Sequence, residues 1–251
     1  MYDARYDEEQ IRSNHFDFVA HMRKHLNENA LLLDLGCGTC RKTAKMAEYV
    51  RSAWGIDYND EMIRKAADNL TPKKIYNVRL TKANNFNTPF PSHSFDICTA
   101  CLTTWSAAEV YRILKPGGLF LIETLSADDK QEIKRLFPDD DIGKRGYLSN
   151  QNCDERLFRL KTELGTFFNI LDLQTVSSRT TLHTEDLITL LEITPTIRGF
   201  NRDSDFKYIS PAIQNGSVTF VERRIYIVAE AKQMLTSGHS SNQTESEQMN
   251  Q

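Results

Sequence analysis

The sequence predicts an α/β fold, a doubly wound and mostly parallel sheet with helices on both faces. Three observations predict it. Apolar runs of five or six residues alternate with helical patterns from Leu31 to Thr124 at the pace of successive βαβ units. The first run, Leu31–Leu35, ends in Asp34-Leu35-Gly36-Cys37-Gly38, a strand feeding a tight glycine turn that opens a helix. The chain has 251 residues, of which 40% are hydrophobic and 26% charged, enough for a sizeable core without staples.

Each element follows from its own pattern. Residues 8 to 26 form a helix with Ile11, Phe16, Phe18, Val19, Met22 and Leu26 on one face. After Leu31–Leu35 a helix runs from Thr39 to Val50, then a strand from Ala53 to Asp57. Asn59 caps the next helix, in which Met62, Ile63, Ala66, Ala67 and Leu70 recur at steps of three and four. Further strands lie at Ile75–Thr81, Phe95–Ala100 and Leu119–Thr124. Ser106 and Glu109 make a capping-box pair for a helix that Pro116-Gly117-Gly118 ends. Beyond Thr124 the rhythm changes. A helix is expected at 128–137, strands at 167–176 and 218–229, and a helix opened by Thr184. Residues 140–165 show no clear period, and 194–216 read as irregular. We read residues 1–232 as one domain and residues 233–251 as a disordered polar tail.

Net charge is -3, which offers no global basic field for a phosphate backbone. No apolar run approaches the ~20 residues of a membrane span, and the start is no signal peptide, so a cytoplasmic chain with five reduced cysteines is expected.

The glycine turn carries the functional signal. Asp57 stands 21 residues after Gly36, where an acid binds the two hydroxyls of a ribose. A dinucleotide site asks for a third glycine at the place of Arg41. What remains is an acid before Gly-x-Gly, which suits a ligand with an ammonium group, while the helix start suits a carboxylate. S-adenosylmethionine has both and carries a ribose.

At this point the chain resembles the class I, seven-stranded SAM-dependent methyltransferases, in the broad group of ubiquinone- and biotin-pathway enzymes. The resemblance rests on Leu33–Thr39, Gly55–Met62, Pro89–Asp96 and Tyr111–Gly118, four segments in the family's order. It implies seven strands with an antiparallel last one, a helical lid at residues 1–28 and substrate-side insertions within residues 126–216. It implies that Asp34, Gly36, Cys37 and Gly38 face the methionine part of the cofactor, that Asp57 holds the ribose, and that Tyr58 and Met62 pack on the adenine. Asn84 or Asn85 takes the place of an acid that reaches the adenine amine. Only thirteen residues separate Asp96 from Glu109, fewer than the family's habit, which leaves Cys101, Thr103, Thr104 and Trp105 beside the transferred methyl.

Cys37-Gly-Thr-Cys40 and Cys98-Thr-Ala-Cys101 are both C-x-x-C, a spacing used by zinc and redox sites. Residues three apart on a strand face opposite sides, and a metal at Cys37 would fill the cofactor's space. We read them as structural thiols and expect no metal. A general base is needed only if the nucleophile arrives protonated. The pool is Tyr6, His15, His21, His93, Glu123, Tyr147 and His183, with Tyr6, His15 and Tyr147 as the catalytic candidates. A solvent role suits His93 and a capping role His183. Arg145, within Gly143–Tyr147, is a candidate anion contact for substrate, and Trp105 a second substrate contact. Thr194–Phe200 raises the same thought. A small-molecule acceptor is the leading partner. An rRNA or tRNA base methyltransferase and a non-catalytic SAM-binding partner protein are the alternatives.

Overall fold

The computed structural model describes residues 16–72, 75–148 and 150–233. Its frame is a seven-stranded sheet with strand order β3-β2-β1-β4-β5-β7-β6. The strands are β1 (Leu31–Leu35), β2 (Ser52–Asp57), β3 (Val78–Lys82), β4 (Phe95–Cys101), β5 (Leu114–Leu125), β6 (Phe168–His183) and β7 (Ser217–Ala231). Pairs among β1 to β5 are parallel. β7 runs antiparallel to both β5 and β6. The expected seven strands with one antiparallel member near the end of the chain are therefore present.

Strand alternation sorts the side chains into two apolar layers. Leu33, Leu35, Cys98, Ala100, Phe120 and Ile122 pack on one face against helices α4 (Ala107–Ile113) and α6 (Cys153–Gly165). Leu32, Ala53, Ile97, Leu121 and Tyr226 pack on the other against α1 (Phe18–Met22) and α2 (Arg41–Met46). Burying each such leucine or phenylalanine stabilises the fold by roughly 1.5–3 kcal/mol. Cys98 belongs to the first layer and Cys101 packs against the second, so the pair straddles the sheet. Helix α3 (Asp60–Leu70) closes on α2 through Ala66 and Leu70, and Asn59 caps it by accepting from the Glu61 amide at 2.8 Å.

Residues 217–223 of β7 pair with 177–183 of β6 beyond the end of β5, as a two-stranded ribbon. Helices α5 (Gln131–Lys134), α7 (Thr184–Ile193) and α8 (Arg202–Ile209) gather on it around Ile133, Phe137, Leu187, Leu191, Ile209 and Phe220. This cap stands at the carboxyl ends of the parallel strands.

The structure corrects several readings. The helix expected at 128–137 shrinks to Gln131–Lys134, entered through Lys130 at φ 52°. The unreadable stretch holds α6, begun by an Asn152–Glu155 capping box. The irregular stretch holds α8. The strand expected at 167–176 runs on to His183. Ser106 accepts from the Glu109 amide, but the Glu109 side chain turns to Thr88 and Arg112, so only half of that capping box forms. His183 makes no side-chain cap and faces Ser217 Oγ at 3.3 Å. Tyr6, His15 and most of the expected lid and polar tail lie outside the described residues. Among the described residues no helix is long and apolar enough to cross a membrane.

Candidate active site

The turn after β1 is built on left-handed backbone, with φ of 64° at Gly36, 54° at Gly38 and 67° at Cys40. A Cβ at Gly36 would stand 2.4 Å from Thr103 Oγ1, whereas one at Gly38 would meet nothing within 4 Å. The first glycine lets the β4 loop close over the turn, and the second leaves bare backbone facing open space. Asp57 reaches this corner from β2: its Oδ2 accepts from the Gly38 amide at 3.0 Å and its Oδ1 from the Asn59 amide at 2.9 Å.

A cavity of about 390 Å³ lies over the turn, lined by Gly36, Asp57, Tyr58, Asn84, Asn85, Phe86, Thr103 and Thr104. Tyr58 and Phe86 are 74% and 54% exposed, so two aromatic faces stand ready at its rim. Asn85 Nδ2 donates to Thr104 O at 2.9 Å and so ties this loop to the one after β4. The open cradle at Gly38, the carboxylate beside it and the aromatic rim fit an adenosyl ligand with an amino-acid end.

Other expected cofactor contacts have different work. Asp34 is buried, and both its oxygens are taken by hydroxyls, Thr43 Oγ1 at 2.5 Å and Thr99 Oγ1 at 2.7 Å. Burial pushes its carboxyl above the usual range, against the pull of those two donors. Held by these two hydroxyls, Asp34 braces the turn from beneath. Met62 is half-buried on α3 and does not line the cavity. Cys101 donates to Glu123 Oε2 at 2.8 Å, and burial followed by that carboxylate pushes its thiol well up, so it stays protonated. Cys37 is likewise raised, by its hydrogen bond with Cys40 and by burial. Among the described residues no three His, Cys, Asp or Glu side chains gather as metal ligands do.

A second cavity, of about 680 Å³, adjoins the first through Phe86, Thr103 and Thr104 and runs under the cap. Trp105 lines it, with its ring edge-on to Phe120 at 5.2 Å, and so does Tyr147. Thr194, Pro195 and Thr196 add to the wall.

Arg145 does not serve this cavity. Its fork grips Asp205 at 2.9 and 2.8 Å and also donates to the carbonyls of Arg198 and Gly199. The planar group expected to bind a substrate anion is already spent on holding the cap together. Arg198 is engaged similarly, with Asp140. His21 stacks on Tyr226 at 4.2 Å, and His93 Nδ1 faces Leu114 O at 3.0 Å, both away from the two cavities.

The comparisons with known proteins come down on this same region. Residues 33–122 match a family model described as a methyltransferase domain. Residues 33–122 are thus a methyltransferase domain. The demethylmenaquinone methyltransferase of Geobacillus sp. (strain WCH70) is 29% identical over 106 residues, 38% of this chain and 45% of that protein. The chain thus spans less than half the length of that curated relative. Among solved structures, the YcgJ protein of Bacillus subtilis superposes with a TM-score of 0.64 at 19% identity, over 87% of this chain and 100% of that one. A SAM-dependent methyltransferase from Aquifex aeolicus gives 0.53 at 16% identity, over 70% and 93%. At such identities these two likenesses concern the fold.

Outside the matched segment the chain also carries a charged group that sequence reasoning missed. Arg224 is fully buried, paired with Asp129 at 2.7 Å and Glu222 at 2.9 Å and facing Glu123 at 3.5 Å. Lys130 bridges Asp129 and Glu222 at 2.9 and 3.2 Å. The signal was present in Glu222-Arg223-Arg224, three successive charges inside a mainly apolar strand, but Asp129 lies 95 residues away from Arg224.

Proposed function

We propose that this chain is a SAM-dependent methyltransferase acting on a small-molecule acceptor, with the cofactor in the smaller cavity and the acceptor in the larger. One observation carries the reading: the two cavities share the Phe86, Thr103 and Thr104 wall, so a group held on Asp57 and Gly38 meets one held under the cap. S-adenosylmethionine supplies an activated methyl group, open to in-line displacement. The chain's own part is to position and to exclude water. Asp57 keeps acceptor capacity beyond its two backbone bonds, since a carboxylate has about four acceptor sites, and these suit ribose hydroxyls. Tyr58 and Phe86 flank the adenine. Trp105 and Leu160 give the acceptor an apolar bed. Glu163, whose carboxyl is pushed up by burial, and Tyr147 are the groups on the wall for a proton from a nucleophile that arrives protonated. A cavity of about 680 Å³ favours a small acceptor, as does the name of the Geobacillus relative.

A crystal structure with S-adenosylhomocysteine tests the assignment. We expect the ribose on Asp57 and the sulfur turned toward Thr103 and Trp105. A nucleoside bound elsewhere removes the reading, and tight binding of bulk RNA that falls steeply with salt would move the acceptor to nucleic acid.

A further inference from the structure

The larger cavity is lined by apolar side chains, among them Leu102, Trp105, Leu125, Leu160 and Ile193, and by charged ones, five cationic and two anionic. Most of the cations are engaged. Arg224 and Lys130 share Asp129 and Glu222. Arg156 donates to Thr124 Oγ1 at 3.0 Å and lines the cavity together with Glu163.

Lys134 differs. It is only 5% exposed, it lines the cavity, and its Nζ has no hydrogen-bond partner among the described residues. The side chain cannot easily swing out to water. Its helix is fastened to β7, where Glu132 accepts from the Val221 amide at 3.1 Å, and Ile133 is buried in the core of the cap. Burial lowers the amine to about 8 against the pull of Asp129, which leaves it mainly protonated at neutral pH. An unanswered buried ammonium is costly, and the natural answer is an acceptor brought by a ligand.

We infer that Lys134 is the anion contact of the acceptor site, and that the methyl acceptor is an apolar small molecule bearing one anionic group, carboxylate or phosphoryl. This rests on the methyltransferase reading for the word acceptor. The binding site itself rests on the cavity and its unmatched cation. The apolar wall takes the body of the molecule, and the single unpartnered ammonium takes its charge.

Calorimetric titration of 2-naphthoate, 2-naphthamide and 2-naphthyl phosphate tests this, on the full chain alone and saturated with S-adenosylhomocysteine. At least one anion is expected to bind about tenfold or more tightly than the amide. Lys134→Met should erase that preference while leaving S-adenosylhomocysteine affinity within about twofold. The stronger anion tells a carboxylic acid acceptor from a phosphorylated one. Equal binding of amide and anions, no binding of either anion, or a preference that survives in Lys134→Met overturns the inference. The comparison on the unaltered chain needs no variant, so misfolding of Lys134→Met would not shield it. If S-adenosylhomocysteine does not bind but the Lys134-dependent preference holds, the methyltransferase reading falls and the anion site stands.

Discussion

The Asp57 carboxylate accepts the Gly38 amide at 3.0 Å, joining the end of β2 to the turn after β1. With its second oxygen on the Asn59 amide, the same carboxylate also fixes the entry to α3. One side chain therefore sets the spacing between the bare turn and the aromatic rim at Tyr58.

The two glycines of the turn are predicted to fail differently. A left-handed non-glycine residue costs roughly 1–2 kcal/mol at either place. At Gly36 the added methyl also collides with Thr103 Oγ1 at 2.4 Å, whereas at Gly38 it enters open space. Both alanine variants should lose S-adenosylhomocysteine binding. Thermal melting should show Gly36→Ala as clearly the less stable, and equal melting points would contradict the packing of Thr103 on Gly36.

Lys134→Met is predicted to stabilise the protein. The folded amine titrates at about 8, below the usual value near 10.4 for an unfolded chain. Between these the unfolded chain binds more protons, so wild-type stability rises with pH across that window, and the full penalty applies below it. The variant should be more stable by roughly 2–3 kcal/mol at pH 7, with the gain shrinking from pH 8 to about 10. Denaturant melts across that range measure it, and a pH-independent difference would refute the charged, buried amine.

Glu109 is predicted to hold the loop before β4. Burial pushes its carboxyl up, but hydrogen bonds from Arg112 and from the Thr88 hydroxyl and amide outweigh it and bring the pKa to about 2. A depressed carboxylate contributes above its unfolded pKa and loses that contribution as pH falls through the folded one. Glu109→Gln should cost roughly 2 kcal/mol at pH 7. In denaturant titrations that cost should fade between about pH 4.5 and pH 2.

Arg145→Met is predicted to act on stability. It would strand Asp205, which is 4% exposed, at a cost of roughly 3–5 kcal/mol. A large drop in melting temperature is expected. An unchanged melting temperature with a raised KM for acceptor would instead restore Arg145 as a substrate contact.

Strands β1, β2 and β4 were legible because each is a short, mainly apolar run, whereas β3, with Arg79 and Lys82, and β5, which starts at Leu114, were placed less closely. Leu31–Leu35 was read to the residue. The cap was not, because its segments lack a local period: α8 carries Asp203, Ser204, Asp205 and Lys207, and is held by Arg145, sixty residues away. The corner of Gly36, Gly38 and Asp57 was legible because glycine and acid there stand at a fixed spacing. The hydrogen bonds that fix Asp34 were not legible, because its two threonine partners, Thr43 and Thr99, lie on a helix and on another strand. Lys134 and Arg224 were missed for a similar reason, since no spacing along the chain encodes a cavity wall assembled from β5's loop and β7.

Calorimetry of S-adenosylhomocysteine on wild type and Asp57→Ala is the most direct test of the account. We predict binding by the wild type and a loss of at least about tenfold in the variant, with the fold retained by circular dichroism. Equal affinity in the two proteins would contradict a cofactor held at the corner of Gly38 and Asp57.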